Sequence, residues 1–161
     1  MIVERMRTAG GALPARCHRE EPEVRTGRSL EFVDVTDLVA AVVARSAIAE
    51  GLVAVQSLHT TAAVVVNEDE PLLLDDLRAA LERAAPSHVS YGHDDFGRRR
   101  GPLDPDEPAN GQSHCKALFL RASETLAVAA GRPRLGRWQR IFLVELDGPR
   151  TRTLSVTVLG A

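Results

Sequence analysis

An α+β domain is the fold class this sequence predicts, and three observations carry it. Apolar, β-branched runs of strand length recur along the chain. Two longer stretches repeat their apolar residues with helical spacing. The strand-like runs gather toward the C-terminus rather than alternating strictly with helices. At 161 residues and 44% hydrophobic, the chain has the length and the apolar content for a single cored domain.

Residues 1–27 show no sustained period and mix Gly, Pro and both charges, so they are expected to form a loosely ordered extension. The domain proper is expected over 28–161. Leu30, Phe32, Val33 and Val35 suggest a first strand, and Thr36 is placed to cap the following helix with Asp37 in its first turn. Leu38, Val39, Val42 and Val43 share one helical face, and Gly51 is the expected left-handed stop. The stretch LVAVQSLHTTAAVVVNEDEP reads as two strand segments, or one bent strand, interrupted by the polar knot His59-Thr60-Thr61. A second helix begins with Pro71 at its first position, puts Leu73, Leu77, Ala80, Leu81 and Ala84 on its apolar face, and ends at Pro86. Residues 87–112 are polar and lack a core of their own, which in a compact domain points to a functional or mobile segment. SHCKALFLRA is short and is expected to open a helix. Strands are expected over 124–130, 135–147 and 151–160, with GRPRLG and DGPR as turns. Leu154, Val156 and Val158 alternate with polar residues, so one face of the last strand is buried, whereas IFLVEL is apolar on both faces and should be central.

Composition removes several function classes. A formal net charge of −2 exerts no long-range pull on nucleic acid or an anionic membrane, and aromatic residues at 4% leave few stacking platforms for single strands. No apolar run reaches the roughly 18–20 residues of a membrane span. Two cysteines, Cys17 and Cys115, suit a reducing cytoplasm better than a disulfide framework.

The chemistry concentrates in polar knots. His59, His93 and His114 come from three separate segments, and three imidazoles with an open fourth position make a catalytic zinc arrangement. Their spacing carries no local metal signature, and each could equally satisfy a strand-end hydrogen bond. Asn67 and Glu68 end a strand, where a carboxylate could hold a divalent cation that bridges a phosphate. Asp69 and Glu70 suit helix capping. Lys116 is the only lysine beside 19 arginines, a compact ammonium where the chain otherwise uses guanidinium. With Arg137, Arg140 and Arg150 it is a candidate partner for an anionic substrate. Cys115 is expected to be a small buried filler rather than a nucleophile.

LHTTAAVVVNED, YGHD, NGQSHCKA, LGRWQRIFLVELDGPRTR and SVTVLG resemble, in order and spacing, the YjbQ family, also known as secondary thiamine-phosphate synthase. The resemblance runs from about Ser29 to Gly160. It implies a mostly antiparallel or mixed sheet with two or three helices, assembled as a homotrimer. By motif it assigns catalytic roles to His59, His93, His114, Lys116 and Glu68. It assigns substrate contacts to Thr60, Asn67, Asn110, Gln139, Asp147 and Arg150, with Trp138 in the same motif as Gln139. His59, His93 and His114 become a metal or phosphate site, served by zinc or magnesium, with no organic cofactor. The implied reaction joins a hydroxymethylpyrimidine diphosphate to a thiazole phosphate with release of pyrophosphate. A metal-dependent hydrolase and a non-enzymatic trimeric binder of a phosphorylated metabolite are the alternatives. Cys115, Arg121 and the Arg- and Pro-rich stretch 98–108 depart from the family pattern.

Overall fold

A computed structural model describes residues 16–100, 103–104 and 106–161. Nine strands form two antiparallel sheets among these residues. The larger runs β1 (Arg16–Glu20), β9 (Thr151–Gly160), β4 (Gly51–Ser57), β6 (Ser123–Ala129) and β7 (Arg132–Pro133), with β2 (Glu23–Arg25) also paired to β9. The smaller places β8 (Gln139–Glu145) between β3 (Glu31–Asp34) and β5 (Ala62–Glu68). No helix among the described residues is long and apolar enough to cross a membrane.

β8 is buried on both sides, as its unbroken apolar run predicts. Ile141 and Leu143 face the larger sheet and join Val53, Val55, Leu154, Val156 and Val158 in one core. Phe142 and Val144 face the other way, against α2 (Pro71–Ala84). α1 (Thr36–Ser46) seals the first core with Val39, Val42 and Val43. The period of two along β8 thus splits one strand between two cores. The same period carries Glu145 into the space between the sheets, where Arg152 continues the buried series of β9.

Several expectations change in detail. The extension expected over 1–27 holds two strands within 16–25, because β9 offers both of them a backbone edge: Arg16 pairs with Gly160, and Glu23 with Thr153. Its first 15 residues lie outside the described part. Helix α1 ends earlier than Gly51, at Ala47, which takes the left-handed conformation with φ of 53°. Thr36 is the first helical residue rather than the cap; its Oγ1 accepts from the Ile141 amide and ties the helix to β8. His59-Thr60-Thr61 is a turn between strands of different sheets, not a bulge. The α2 stripe is rotated to Leu74, Leu77 and Leu81, while Ala80 and Ala84 stay exposed. Glu70 caps that helix through Leu72 and Leu73 amides, as expected. The NGQSHCKA stretch forms α3 (Gly111–Ala117), and a single 3-10 turn spans Gly92–Asp94.

Candidate functional site

A polar cleft of about 650 Å³ opens where the 58–61 turn, the 146–150 turn, the 3-10 turn and the start of α3 converge. That volume suits a small-molecule ligand. His93 and His114 enter it from the 3-10 turn and α3, their rings 4.5 Å apart between centroids and inclined by 60°. Two local features bring them together. Asp94 Oδ1 accepts from the Gly111 amide at 2.8 Å, fastening the 3-10 turn to the helix start. Gly111 is required there because a Cβ would collide with the Cβ of Tyr91.

Asn110 precedes α3 and donates through Nδ2 to Asp147 Oδ2 at 3.0 Å. The same carboxylate oxygen accepts from Arg150 Nη2 at 2.6 Å. Ser113 Oγ donates to the Leu146 carbonyl at 2.8 Å, so α3 and the 146–150 turn are stitched side by side. Gly148 sits in that turn at φ of 55°, which a side chain rarely adopts. Across the cleft Arg99 pairs with Glu107, whose carboxylate lies 3.7 Å from His93 Nε2. Two buried polar atoms in this wall have no hydrogen-bond partner among the described residues: His93 Nε2 and Asn110 Oδ1.

Burial pushes the His114 pKa down, and His93 and Arg99 push it further; Asp147 and Glu107 act the other way without prevailing. His114 is therefore uncharged at neutral pH and able to accept a proton. The Arg99 guanidinium holds the Glu107 carboxyl below its ordinary value, keeping that pair ionised.

A family model described as UPF0047 protein YjbQ-like matches residues 20–161. The chain belongs to this family. Among UPF0047 relatives, one from Methanothermobacter thermautotrophicus is 38% identical over 143 residues, covering 89% of this chain and 92% of its own. YugU of Bacillus subtilis is 30% identical, covering 86% and 96% respectively. A crystal structure from Sulfolobus solfataricus, described as a YbjQ-like protein of unknown function, superposes with a TM-score of 0.82 at 34% identity, covering 92% of this chain and all of that one.

Within this YjbQ-like fold, the expected site residues divide into groups. Thr60, His93, Asn110, His114, Asp147 and Arg150 all line the cleft. His59 lies in the adjoining turn and lines a neighbouring depression. Its Nε2 accepts from the Thr153 amide at 2.7 Å, which places its proton on Nδ1. Burial lowers its pKa, with Arg152 adding to the effect. The structure does not gather the three histidines into one group: His59 Nε2 is bonded to backbone, and no cluster of three or more His, Cys, Asp or Glu among the described residues is placed to hold a metal ion.

Lys116 is elsewhere too. It is 1% exposed and its Nζ lies 3.1 Å from Glu82 Oε2 on α2, so its ammonium faces a helix rather than the cleft. Asn67, Glu68 and Gln139 sit at the far end of the smaller sheet, where Glu68 pairs with Gln139. Six residue steps along β5 separate Glu68 from the cleft end at Ala62, roughly 20 Å. Trp138 is 60% exposed with Arg137 over its ring. Arg140 lies 3.9 Å from Asp34. Cys115 is exposed rather than a buried filler, because α3 turns His114 and Lys116 inward and leaves Cys115 outside.

Residue-level reading missed Thr61, Arg99, Glu107, Glu145 and Arg152. A signal existed for the last two. Glu145 falls in phase with Ile141 and Leu143, and Arg152 with Leu154 and Val156, so two opposite charges occupy positions whose neighbours are core. Arg99 and Glu107 gave no comparable signal, since both stand among many charges in a segment without period.

Proposed function

We propose that this chain is a small-molecule enzyme acting on a phosphorylated metabolite bound in the His93–His114 cleft. The observation that carries the reading is a pair of buried atoms without a partner among the described residues, His93 Nε2 and Asn110 Oδ1, on the wall between Arg99 and Arg150. A buried polar group left unpaired costs stability, so its place in a cleft marks where a ligand completes the hydrogen bonding. Arg150 and Arg99 each hold one carboxylate and retain further N–H donors, which suit phosphate oxygens. Neutral His114 keeps one ring N–H to donate to a phosphate oxygen.

The specific reaction is the condensation that releases pyrophosphate. The thiazole ring nitrogen forms its bond to the pyrimidine's methylene carbon as the bond from that carbon to the diphosphate oxygen breaks, and the departing charge is met by Arg150 and Arg99. Lys116, buried against Glu82, takes no part in this step, and Asn67, Glu68 and Gln139 are too far along the sheet. A divalent ion enters the proposal only as a companion of the diphosphate. The two free cysteines fit a reducing cytoplasm. A homotrimer is the assembly proposed, supported by the exposed apolar Leu118, Phe119 and Trp138; a clean monomer in sedimentation at micromolar concentration contradicts it.

The test is a pyrophosphate-release assay with the pyrimidine diphosphate, the thiazole phosphate and magnesium. Wild type should turn over, and His114→Ala should be slower by about a hundredfold, the usual cost of removing one donor to a developing charge. Binding of the phosphorylated compounds without turnover would leave a metabolite-binding protein. Neither binding nor turnover would sink the phosphate reading.

A further inference from the structure

We propose that Glu145 and Arg152, buried behind the cleft, are its positioning pair. They hold the turn bearing Asp147 and Arg150 in fixed relation to the turn bearing Thr60 and Thr61. The inference rests on the cleft being the reacting site, but concerns residues that do not themselves line it.

Glu145 is 0% exposed and Arg152 3%. Every hydrogen bond of the Glu145 carboxylate can be followed to a piece of cleft wall or its support. Oε1 accepts from the amides of Asp147 at 2.8 Å and Gly148 at 2.7 Å, which shapes the 146–150 turn from beneath. Oε2 accepts from Thr26 Oγ1 at 3.0 Å. Thr26 in turn is bonded to Arg150 in both directions: its amide donates to the Arg150 carbonyl at 2.8 Å, and its Oγ1 accepts from the Arg150 amide at 2.9 Å. Arg152 Nε donates to Glu145 Oε2 at 2.6 Å, and Nη2 reaches both Glu145 Oε1 and Thr61 Oγ1, the latter at 3.0 Å. The next residue, Thr153, donates its amide to His59 Nε2, pinning the other end of the 58–61 turn.

Stability alone does not account for this arrangement. A buried ion pair is often matched or bettered by apolar residues of similar volume, and the surrounding positions of β8 and β9 are apolar. What apolar residues cannot do is accept from two turn amides, a threonine hydroxyl and a guanidinium at once. Burial alone would raise the Glu145 pKa, yet Arg152 and the Asp147 and Gly148 amides together bring it below the ordinary value, so the carboxylate stays ionised as this role requires. Its consequence reaches His114, which is faced by His93, Asp147, Arg99 and Glu107. Of these, Asp147 is the group whose backbone Glu145 holds directly.

The experiment needs no substrate. The His114 imidazole is titrated by NMR in 15N-labelled wild type, Glu145→Gln and Arg152→Lys, alongside amide exchange at Asp147 and Gly148. In folded variants the His114 pKa should fall further, because Asp147 raises it and is no longer held in place. Exchange at the two amides should quicken by about tenfold, the equivalent of one lost hydrogen bond, while Val53 and Val55 in β4 keep their protection. A folded variant with unchanged His114 titration and unchanged exchange overturns the proposal. Should both charge variants unfold, Thr61→Val removes only the hydroxyl partner of Arg152. Faster exchange at Asp147 and Gly148 would then show the two turns coupled through the pair, and no change would refute it. A wild type without turnover would remove the proposed reaction and leave this result standing; a silent titration would do the reverse.

Discussion

His114 and Lys116 stand two positions apart on α3, and the helix turns them about 200° away from each other. His114 enters an open polar cleft beside His93, with its pKa lowered by burial. Lys116 enters a closed space against α2, where Glu82 meets its ammonium and also accepts from the Ser87 amide and hydroxyl. Those contacts, Ser87 first and Lys116 after, hold the Glu82 carboxyl at about 2. One seven-residue motif therefore serves two tasks: its cleft side faces the proposed reacting site, and its inner side anchors the helix that presents it. Charge and rarity in a sequence do not separate the two, because both tasks favour an unusual polar residue.

The sharpest way to break the comparison is substitution on each side. His114→Ala should lower turnover by about a hundredfold, through loss of a donor to the departing diphosphate, while leaving the thermal midpoint nearly unchanged. Lys116→Met should do the opposite, costing about 2 kcal/mol of stability with kcat altered little in the fraction that folds; a fully buried pair would cost more, but Glu82 keeps solvent and Ser87. A Lys116→Met variant as stable as wild type, and inactive, would return the ammonium to the chemistry. Lys116→Arg should destabilise by about 1–2 kcal/mol through overpacking, which would explain why one ammonium persists in an arginine-rich chain. Denaturant melts of both variants settle this.

Acidity sharpens the same contrast with a smaller effect. His114 and His59 titrate below their ordinary 6.5 in the folded state. The unfolded chain therefore binds more protons as pH drops below that value. Their stabilising contribution is full above about pH 6.5 and is lost as pH falls through the lowered folded values. Glu82, lowered from 4.5 to about 2, keeps its contribution until pH falls below 4.5 and loses it toward 2. Thermal midpoints measured across pH should show two separate declines, and Lys116→Met should diminish the lower one only. The smallest effect is expected at Cys115: Cys115→Ser should change stability by less than about 0.5 kcal/mol, and the native thiol should react with a thiol reagent without denaturant.

The α+β class, the central burial of β8, the alternation of β9 and the Pro71 start of α2 were all legible in the sequence, because each depends on short-range periodicity. So was the family, which the motifs carry across most of the chain. Six of the expected site residues also meet in the cleft, since the motifs hold them near turns that converge.

Tertiary structure alone decided the rest. Strand pairing recruited residues 16–25 into the larger sheet, an outcome no local pattern encodes, because the partner lies more than a hundred residues away on β9. Packing of α3 against α2 sent Lys116 inward, and a backbone amide on β9 claimed His59. The Glu145–Arg152 pair left a trace in the phase of two strands, but only the stacking of one sheet on the other brings those charges together. Periodicity reports which face of an element is buried; what that face meets depends on contacts between distant segments, and there the roles of these residues are set.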